Sequence, residues 1–597
     1  MVNVTQRWKD NQTQVIREES LIEVSIQMGD PEAIQDASAT DNGSIGDTAQ
    51  IVDGLDKTVK PYAMCEHNIW PLDGTFRLLP GTPDWDMCYV SDVLCGVDGV
   101  FTSIPKIIIN FSQVYNKLIP GITITWGKAF GEWATDFTIT AYNGPTIVAQ
   151  DITSGNNNVT SISVFAIQNY NRIEIAITKW CAPLRRARVE DVLIGIGITY
   201  RKPDLLSFTQ DMFSDPLSAT LPKYSISYEI DNVDGSFDPN NLQGLSVYLI
   251  ERQKISVRYG YVLDGTEEWI PGGVYYLSEW YAPQNGIKAV FHARDILEFM
   301  AQAFRKGIYN PYTILGRSLY QLAEQVLISA DLPLNPDGNV NWEIDNSLHN
   351  IYTLAPLPMA SHASCLQIIA NAGCCAISFD RVGRMHISPM GDTPTDYVIS
   401  HFNSYVKTGL RLTKPLKSVA VKSANYITAD VVDLFDGEVY VNGTEKKWIT
   451  YSMAALPHQA VVQPPGVLVS GYYYTHGCEL EIQGTGNVAV KLQGNRLDRS
   501  ELEYTLDVDS EGEPLQPLDN PLITSTERAM VVAAWVGGYL SSRRIMTSNV
   551  RIDPRIDPLD IITNQNNYGW VDVRVTKVGI NYNGAFRGIV EGRGIDT

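Results

Sequence analysis

Residues Tyr224–Asn232 read YSISYEIDN, and this stretch decides the fold class. Tyr224, Ile226, Tyr228 and Ile230 fall on one face of an extended chain; Ser225, Ser227, Glu229 and Asp231 fall on the other. Strict period-two alternation predicts a strand with one wet and one buried face. The turn that follows, NVDGSFDPNN (Asn232–Asn241), is rich in Asp, Gly, Pro and Asn and closes the strand without helix. Downstream, KISVRYGYV, GGVYYLSEWYA and IKAVFHARD continue as strands, so residues 203–300 are expected to form one β domain.

Upstream lies a second β region. IPKIIINFS, GITITWG, TDFTITAYN, SISVFAI, RIEIAITKW and DVLIGIGITYR are short β-branched runs separated by Gly, Asn and Pro, which predicts a β-sandwich over residues 62–202. Residues 1–61 contain one alternating segment, LIEVSIQM (Leu21–Met28), followed by a Gly-, Asp- and Ser-rich stretch expected to be loop. They are expected to form an arm lying on another domain or subunit, removable without unfolding the β domains.

Helices are expected after residue 300. Ser318 with Gln321 makes a capping box ahead of Leu319, Leu322, Ala323, Val326 and Leu327 on one helical face. ASCLQIIANAG is a second helix, with Gly373 expected at the left-handed C-terminal position. It leads into a hairpin turning at Asp380–Gly383, so residues 301–400 are expected to be α+β. Residues 401–597 are expected to be mostly β, with a loop-rich insertion at about 430–520 and a helix over 524–544 begun by a Thr524/Glu527 capping box. The fold class expected is mainly β with smaller α+β parts, and no internal repeat is visible.

The chain has 597 residues, enough for about three to five domains of roughly 150. Its 46 basic and 67 acidic residues leave a net charge of −21, which excludes the basic footprint of ordinary nucleic-acid binders. A passage that nucleic acid slides through without sticking is not excluded. Charged residues are 19% of the chain, below the usual quarter, and there are 30 Tyr, so much of the surface reads as reserved for contacts. Met1–Asp30 has no apolar signal region, and no run reaches the roughly 20 apolar residues of a membrane helix. The eight Cys form no CxxC pair and read as buried thiols of a chain folded in a reducing cytoplasm.

Four segments in order resemble the baseplate hub or tail-tip hub proteins of tailed bacteriophages. They are ATLPKYSISYEIDNVDGSFDPNN (Ala219–Asn241), SCLQIIANAGCCAISFDRVGRMHI (Ser364–Ile387), NPLITSTERAMVVAAWVGGYLSSRR with DPRIDPLDIIT (Asn520–Thr563), and VTKVGINYNGAFRGIVEGRG (Val575–Gly594). YAMCEHNIWPLDGTF (Tyr62–Phe76) resembles the lead into an inserted domain, and the sandwich itself resembles a galactose-binding-like jelly roll. The resemblance implies a non-enzymatic structural virion protein at the tail tip or baseplate, assembled in the host cytoplasm. It implies a homotrimer in which two related β-barrel-like hub domains per chain, 203–300 and 401–597, make a pseudo-six-fold ring. Implied partners are the distal tail protein ring, the tape measure protein in the lumen, and tail fibre or receptor-binding proteins. DNA would pass without specific binding, helped by an acidic wall, and the hub would close and open the channel. A jelly roll of this kind would also bring a host surface glycan into play, with Trp126, Trp133 and Tyr142 as candidate sugar-stacking rings; the alternative for these three is core or interface. Other readings are a carbohydrate-binding surface or secreted protein, and a polysaccharide-degrading enzyme.

No cofactor is expected. Asp507, Asp509, Glu511 and Gly512 approach a calcium loop, but the twelfth position is Leu518 rather than Glu. Asp553, Asp557 and Asp560 could tempt a glycosidase reading, yet Asp-Pro repeats are turn chemistry. The eight His show no metal spacing, and neither a nucleophile elbow nor a phosphate loop occurs. The chain stops directly after the hub-like segments, so no fused hydrolase is expected.

Overall fold

The computed structural model describes the chain except residues 40–44, 53–58, 60, 64–65, 67–69, 71–72, 75, 79–86, 243, 284–286, 310–315, 334–339, 406–407, 567–568 and 596–597. Most of Tyr62–Phe76, including Cys65, lies outside the described residues. The molecule is mainly β, with several sheets and few helices.

The chain begins with helix α1 (Gln6–Thr13), capped by the Thr5 hydroxyl, and strand β1 (Ser20–Gly29). The alternation of LIEVSIQM is realised: Ile22, Val24, Ile26 and Met28 are buried. Their strand is not a loose arm, however. It is paired on both sides within its own chain, with β2 (Gly195–Tyr200) on one edge and β5 (Lys254–Leu263) on the other. The segment thus lies on another domain, as expected of an arm, but as an interior strand whose removal would expose two hydrogen-bonding edges. Part of the expected loop also folds: Asp30 caps a short helix at Pro31–Asp36, where Pro sits in the first turn.

Between β1 and β2 the chain builds a sandwich of two antiparallel sheets. One has Ser38–Ala39, Lys106–Tyr115, Tyr170–Trp180, Ala134–Asn143 and Thr146–Thr153 side by side; the other has Thr160–Ile167, Ile119–Trp126, Arg186–Leu193 and Tyr89–Leu94. Its own core includes Trp126, Phe137, Tyr170, Ile175 and Trp180.

After β2 come β3 (Leu205–Phe213), β4 (Lys223–Asp231), β5, β6 (Thr266–Tyr281) and β7 (Lys288–Arg294). Tyr224, Ile226, Tyr228 and Ile230 of β4 are all buried, as their alternation predicts. Helices α2 (Leu319–Ser329) and α3 (His362–Gly373) follow. The Ser318/Gln321 capping box is present, with both reciprocal bonds at 3.2 Å. At the end of α3 the left-handed residue is Cys374, φ +57°, one past the expected Gly373. Gly373 serves packing instead: a Cβ there would meet Leu348 Cδ2 at 2.4 Å.

Next are β8 (Pro394–Ile399) and β9 (Gly409–Leu412). The expected loop-rich insertion is a ribbon: β10 (Ser418–Thr450) and β11 (Gly477–Asp507) pair from Ser418·Asp507 out to Thr450·Gly477. At about 3.3 Å per residue it is roughly 100 Å long before twist. Near the main body β11 is exposed over Glu501–Glu503, whereas farther out Cys478, Leu480 and Ile482, then Val488, Val490 and Leu492, alternate with less buried neighbours and are buried on one face. The ribbon's outer half carries a small separate core of Leu434, Val441, Ile449, Leu480, Ile482 and Leu492, and strands from 455–473 pair antiparallel along the other edge of β11 there.

Helix α4 (Thr526–Ser541) starts one residue later than expected. Ser525, not Thr524, takes the Arg528 N–H at 3.1 Å. The N3 residue is then Arg528, a donor only, so the capping box does not form. The chain ends with β12 (Arg544–Val550), β13 (Ile561–Asn566), β14 (Gly569–Tyr582) and β15 (Phe586–Gly594).

One large sheet runs β2-β1-β5-β6-β7-β4-β3-β14-β15-β12-β9, with β13 beside β14 and β8 beside β13.

Candidate functional site

Two halves of this sheet are built alike. Strands β3 to β7 lie in the order β5-β6-β7-β4-β3, all neighbours antiparallel. Strands β9 and β12 to β15 lie in the order β13-β14-β15-β12-β9, again antiparallel throughout. Numbering strands one to five along each unit, both read three-four-five-two-one. The correspondence extends to single residues. The fourth strand of each carries a bulge against the fifth, at Ser278 and at Thr576. Both bulge hydroxyls bond the facing carbonyl: Ser278 Oγ donates to His292 O at 3.1 Å, and Thr576 Oγ1 to Glu591 O at 3.3 Å. The repeat is invisible in sequence because the ribbon and α4 interrupt the second unit between its first and second strands, and because only polarity, not identity, is shared.

The units join where β3 pairs with the far half of β14. Phe208, Gln210 and Met212 face Tyr582, Ile580 and Val578, and all six are buried. Beyond β3, the Ser214 N–H donates to Thr576 O at 3.1 Å, tying the chain to the second unit's bulge. Buried Gln210 saturates its amide: Oε1 accepts from Tyr259 Oη at 2.7 Å, and Nε2 donates to Gly272 O at 2.8 Å and also meets Tyr275 Oη. A cavity of about 390 Å3 lies beside this joint, lined by Leu217, Val536, Tyr539, Leu540 and Thr576 among others.

Buried ions clamp the same joint. Arg381, on the hairpin after α3, holds Asp557 at 2.8 Å and the Pro271 carbonyl at 3.1 Å, so it bridges both units. Burial alone would lower its guanidinium, but the Asp557 carboxylate outweighs that, and Arg381 stays above its usual value. Arg555 holds Asp553 at 2.7 Å, and the Trp8 indole N–H donates to Asp553 at 3.3 Å. The Met1 ammonium holds Asp560 at 3.1 Å, whose carboxyl is raised by burial and by Asp557 nearby. Each acid suspected of glycosidase chemistry is thus paired with a cation in a structural joint.

The other two ends of the units lack such a neighbour. Among the described residues, no strand pairs with the outer side of β9, and the β5-facing side of β6 has no strand partner beyond Leu277, whose N–H donates to the Gln253 carbonyl and whose carbonyl accepts the Arg252 N–H. Leu410 and Leu412 of β9 are each 60% exposed. This open edge was not legible from the sequence, in which GLRL is an unremarkable tetrapeptide.

The candidate sugar-stacking residues do not converge on an open face. Trp126 is fully buried, edge-on to Phe137 at 4.9 Å and to Trp180 at 6.2 Å, with its N–H on Ser161 Oγ at 2.7 Å. It is a core residue and offers no ring face to a ligand. Trp133 is half-buried and donates to the Asn156 carbonyl at 3.0 Å, which anchors the TSGNNNVTS turn. Tyr142 is half-buried with the Arg172 guanidinium over its ring at 4.3 Å.

The thiols of Cys88, Cys95, Cys365, Cys375 and Cys478 are buried, and burial pushes Cys365 and Cys375 up to about 12; Cys181 is exposed. Among the described residues no group of acidic, His and Cys side chains is gathered as metal ligands, and no helix is long and apolar enough to cross a membrane.

No family model and no curated protein matches the chain. Among solved structures it is similar to the 43 kDa tail protein of prophage MuSo2 from Shewanella oneidensis, at 10% identity and TM-score 0.38, covering 66% of this chain and 95% of that one. It is also similar to a tail protein from Neisseria meningitidis MC58, at 8% identity and TM-score 0.36, covering 66% and 93%. A third is the E. coli c3393 protein, a type VI secretion component described as similar to T4 tail proteins gp27 and gp5, at 7% identity and TM-score 0.32, covering 66% and 74%. At these values the likeness is one of outline.

Proposed function

We propose that this chain is a structural subunit of a phage tail hub, in which three copies close a ring of six sheet units at the distal end of the tail. The observation that carries this is the pair of topologically identical five-strand units in one chain, joined side by side through β3 and β14. A joint between different surfaces of like units is heterologous, and repeating it generates a ring where the rotation closes. Two units per chain let a trimer present six near-equivalent positions to a six-fold tail. The distal tail ring, tape measure protein and receptor-binding parts are its partners in this reading. The net charge of −21 then supplies a wall that repels phosphate, so that DNA passes without being held. Opening the channel is a two-state change in packing between subunits.

Native mass measurement of the full chain, alone and in tail particles, tests the reading. The expected result is a species of three times the chain mass, with six-fold pseudosymmetry in electron-microscopic averages. A chain that stays monomeric at tens of micromolar and is missing from tail particles overturns it.

A further inference from the structure

We propose that the open edge of β9 pairs, in a defined register, with the far half of β6 of a second copy of this chain. Resting on the ring reading, this inference adds the contact that closes the ring and a charge code that orders the units around it.

The template is inside the chain. Matching the two units through their pairings with β7 and β15, and with β4 and β12, sets Leu410, Arg411 and Leu412 in the places of Gln210, Asp211 and Met212. The same match sets Glu279, Trp280, Tyr281 and Ala282 in the places of Lys577, Val578, Gly579 and Ile580. In the joint already made, Met212 faces Val578, Asp211 faces Gly579 and Gln210 faces Ile580. Transferred between copies, Leu412 faces Trp280, Arg411 faces Tyr281 and Leu410 faces Ala282. The ladder is short, because Pro283, next along, has no N–H to give.

Two observations favour a second copy as the occupant. First, Gln210 and Met212 are buried by their joint, whereas Leu410 and Leu412, in the same places, are 60% exposed. Two leucines on an unpaired edge are a template for strand addition unless something covers them. Second, the charges are exchanged. Within the chain, Asp211 lies diagonally across from Lys577. Between copies, Arg411 lies diagonally across from Glu279. Diagonal neighbours are within reach of long side chains, and opposite charges favour the pairing. The mismatched combinations, Asp211 with Glu279 and Arg411 with Lys577, are both like-charged. First units therefore reject first units, second units reject second units, and the ring alternates. That is specificity by repulsion as well as attraction.

The test uses the full-length chain carrying Cys65→Ser and Cys181→Ser, which removes Cys181, the exposed thiol among the described residues, and Cys65, which lies outside them. Arg411→Cys with Tyr281→Cys places two thiols directly opposite each other between copies; Leu410→Cys with Tyr281→Cys places them on opposite faces. Mild oxidation should convert the first pair to covalent trimers on a non-reducing gel, with at least tenfold less from the second. Arg411→Glu should cut the trimer fraction severalfold at low salt with an unchanged monomer melting temperature, and Arg411→Glu with Glu279→Arg should restore it. Native trimers with no cross-link, or with equal cross-linking of both pairs, or with no charge rescue, overturn the register while leaving the ring reading intact. A parent chain that never trimerises removes both.

Discussion

Trp8 is where the N-terminal segment earns its place. The indole is fully buried, edge-on to Tyr261 at 4.8 Å, and donates to Asp553, which Arg555 also holds. Its truncation to Ala removes a large ring and unseats a buried ion pair, so a loss of about 3–5 kcal/mol is expected in denaturant unfolding. Asp295 is a second sensitive residue. Its buried carboxyl accepts the Tyr224 and Leu297 N–H groups at 2.7 and 2.9 Å, yet burial dominates and pushes its pKa up to about 7. The folded state thus holds a proton that the unfolded chain releases near pH 4. Stability from this group is present below that pH and is lost as pH rises to about 7. Melting temperature measured from pH 5 to 7.5 should fall, and Asp295→Asn, which cannot ionise, should flatten that slope. Of the three candidate sugar rings, Trp126 takes the core alternative, because a strand end can be as deep in a sandwich as its middle.

At the scale of elements, local chemistry was legible where the signal was short-range. The Ser318 capping box, the β4 alternation and the Asp380–Gly383 turn follow from residues within about six positions of one another. The misses have nonlocal causes. Gly373 reads as a helix stop, but Leu348 occupies the space where its side chain would be, and Cys374 takes the left-handed turn. Gly373→Ala should cost about 1–3 kcal/mol by overpacking, seen as a lower denaturant midpoint. The ribbon differs from the loop-rich insertion expected because its partners are far apart in sequence: Ser418 pairs with Asp507, and the alternating apolar residues of 478–492 find their core only across that pairing. Its outer half has a core of its own, separate from the main core. Replacing residues 429–496, beyond the Thr428·Leu497 pair, by a two-residue Asn-Gly turn should leave a soluble chain whose main thermal transition shifts by only a few degrees. Deleting residues 1–29 should have the opposite result, insoluble protein, since β1 is hydrogen-bonded on both edges.

For the whole molecule, the charge balance and the scarcity of charged residues acquire a place. An edge with two exposed leucines and one arginine, and a facing strand end with a glutamate and a tyrosine 49% exposed, are surface that a lone chain has no use for. Raising salt should weaken the proposed joint, as screening removes the Arg411–Glu279 attraction, while the apolar pairs of Leu410 and Leu412 keep it from vanishing. Sedimentation at 50 mM and 500 mM salt should show that partial loss, and Leu410→Ser with Leu412→Ser should turn it into complete loss at both.

What the sequence determined alone is what short-range periodicity and composition can carry: a mainly β chain, the strands of its sandwich, the capping box of α2, and a net charge of −21. The duplication, the ion-paired joint and the open edge were decided only in three dimensions. Their residues are drawn from 8, 210, 381, 411 and 557, separations over which no helical or strand period persists. Strand order is set by which hydrogen-bonding edges meet, and an edge carries no side-chain signature until its neighbour is known.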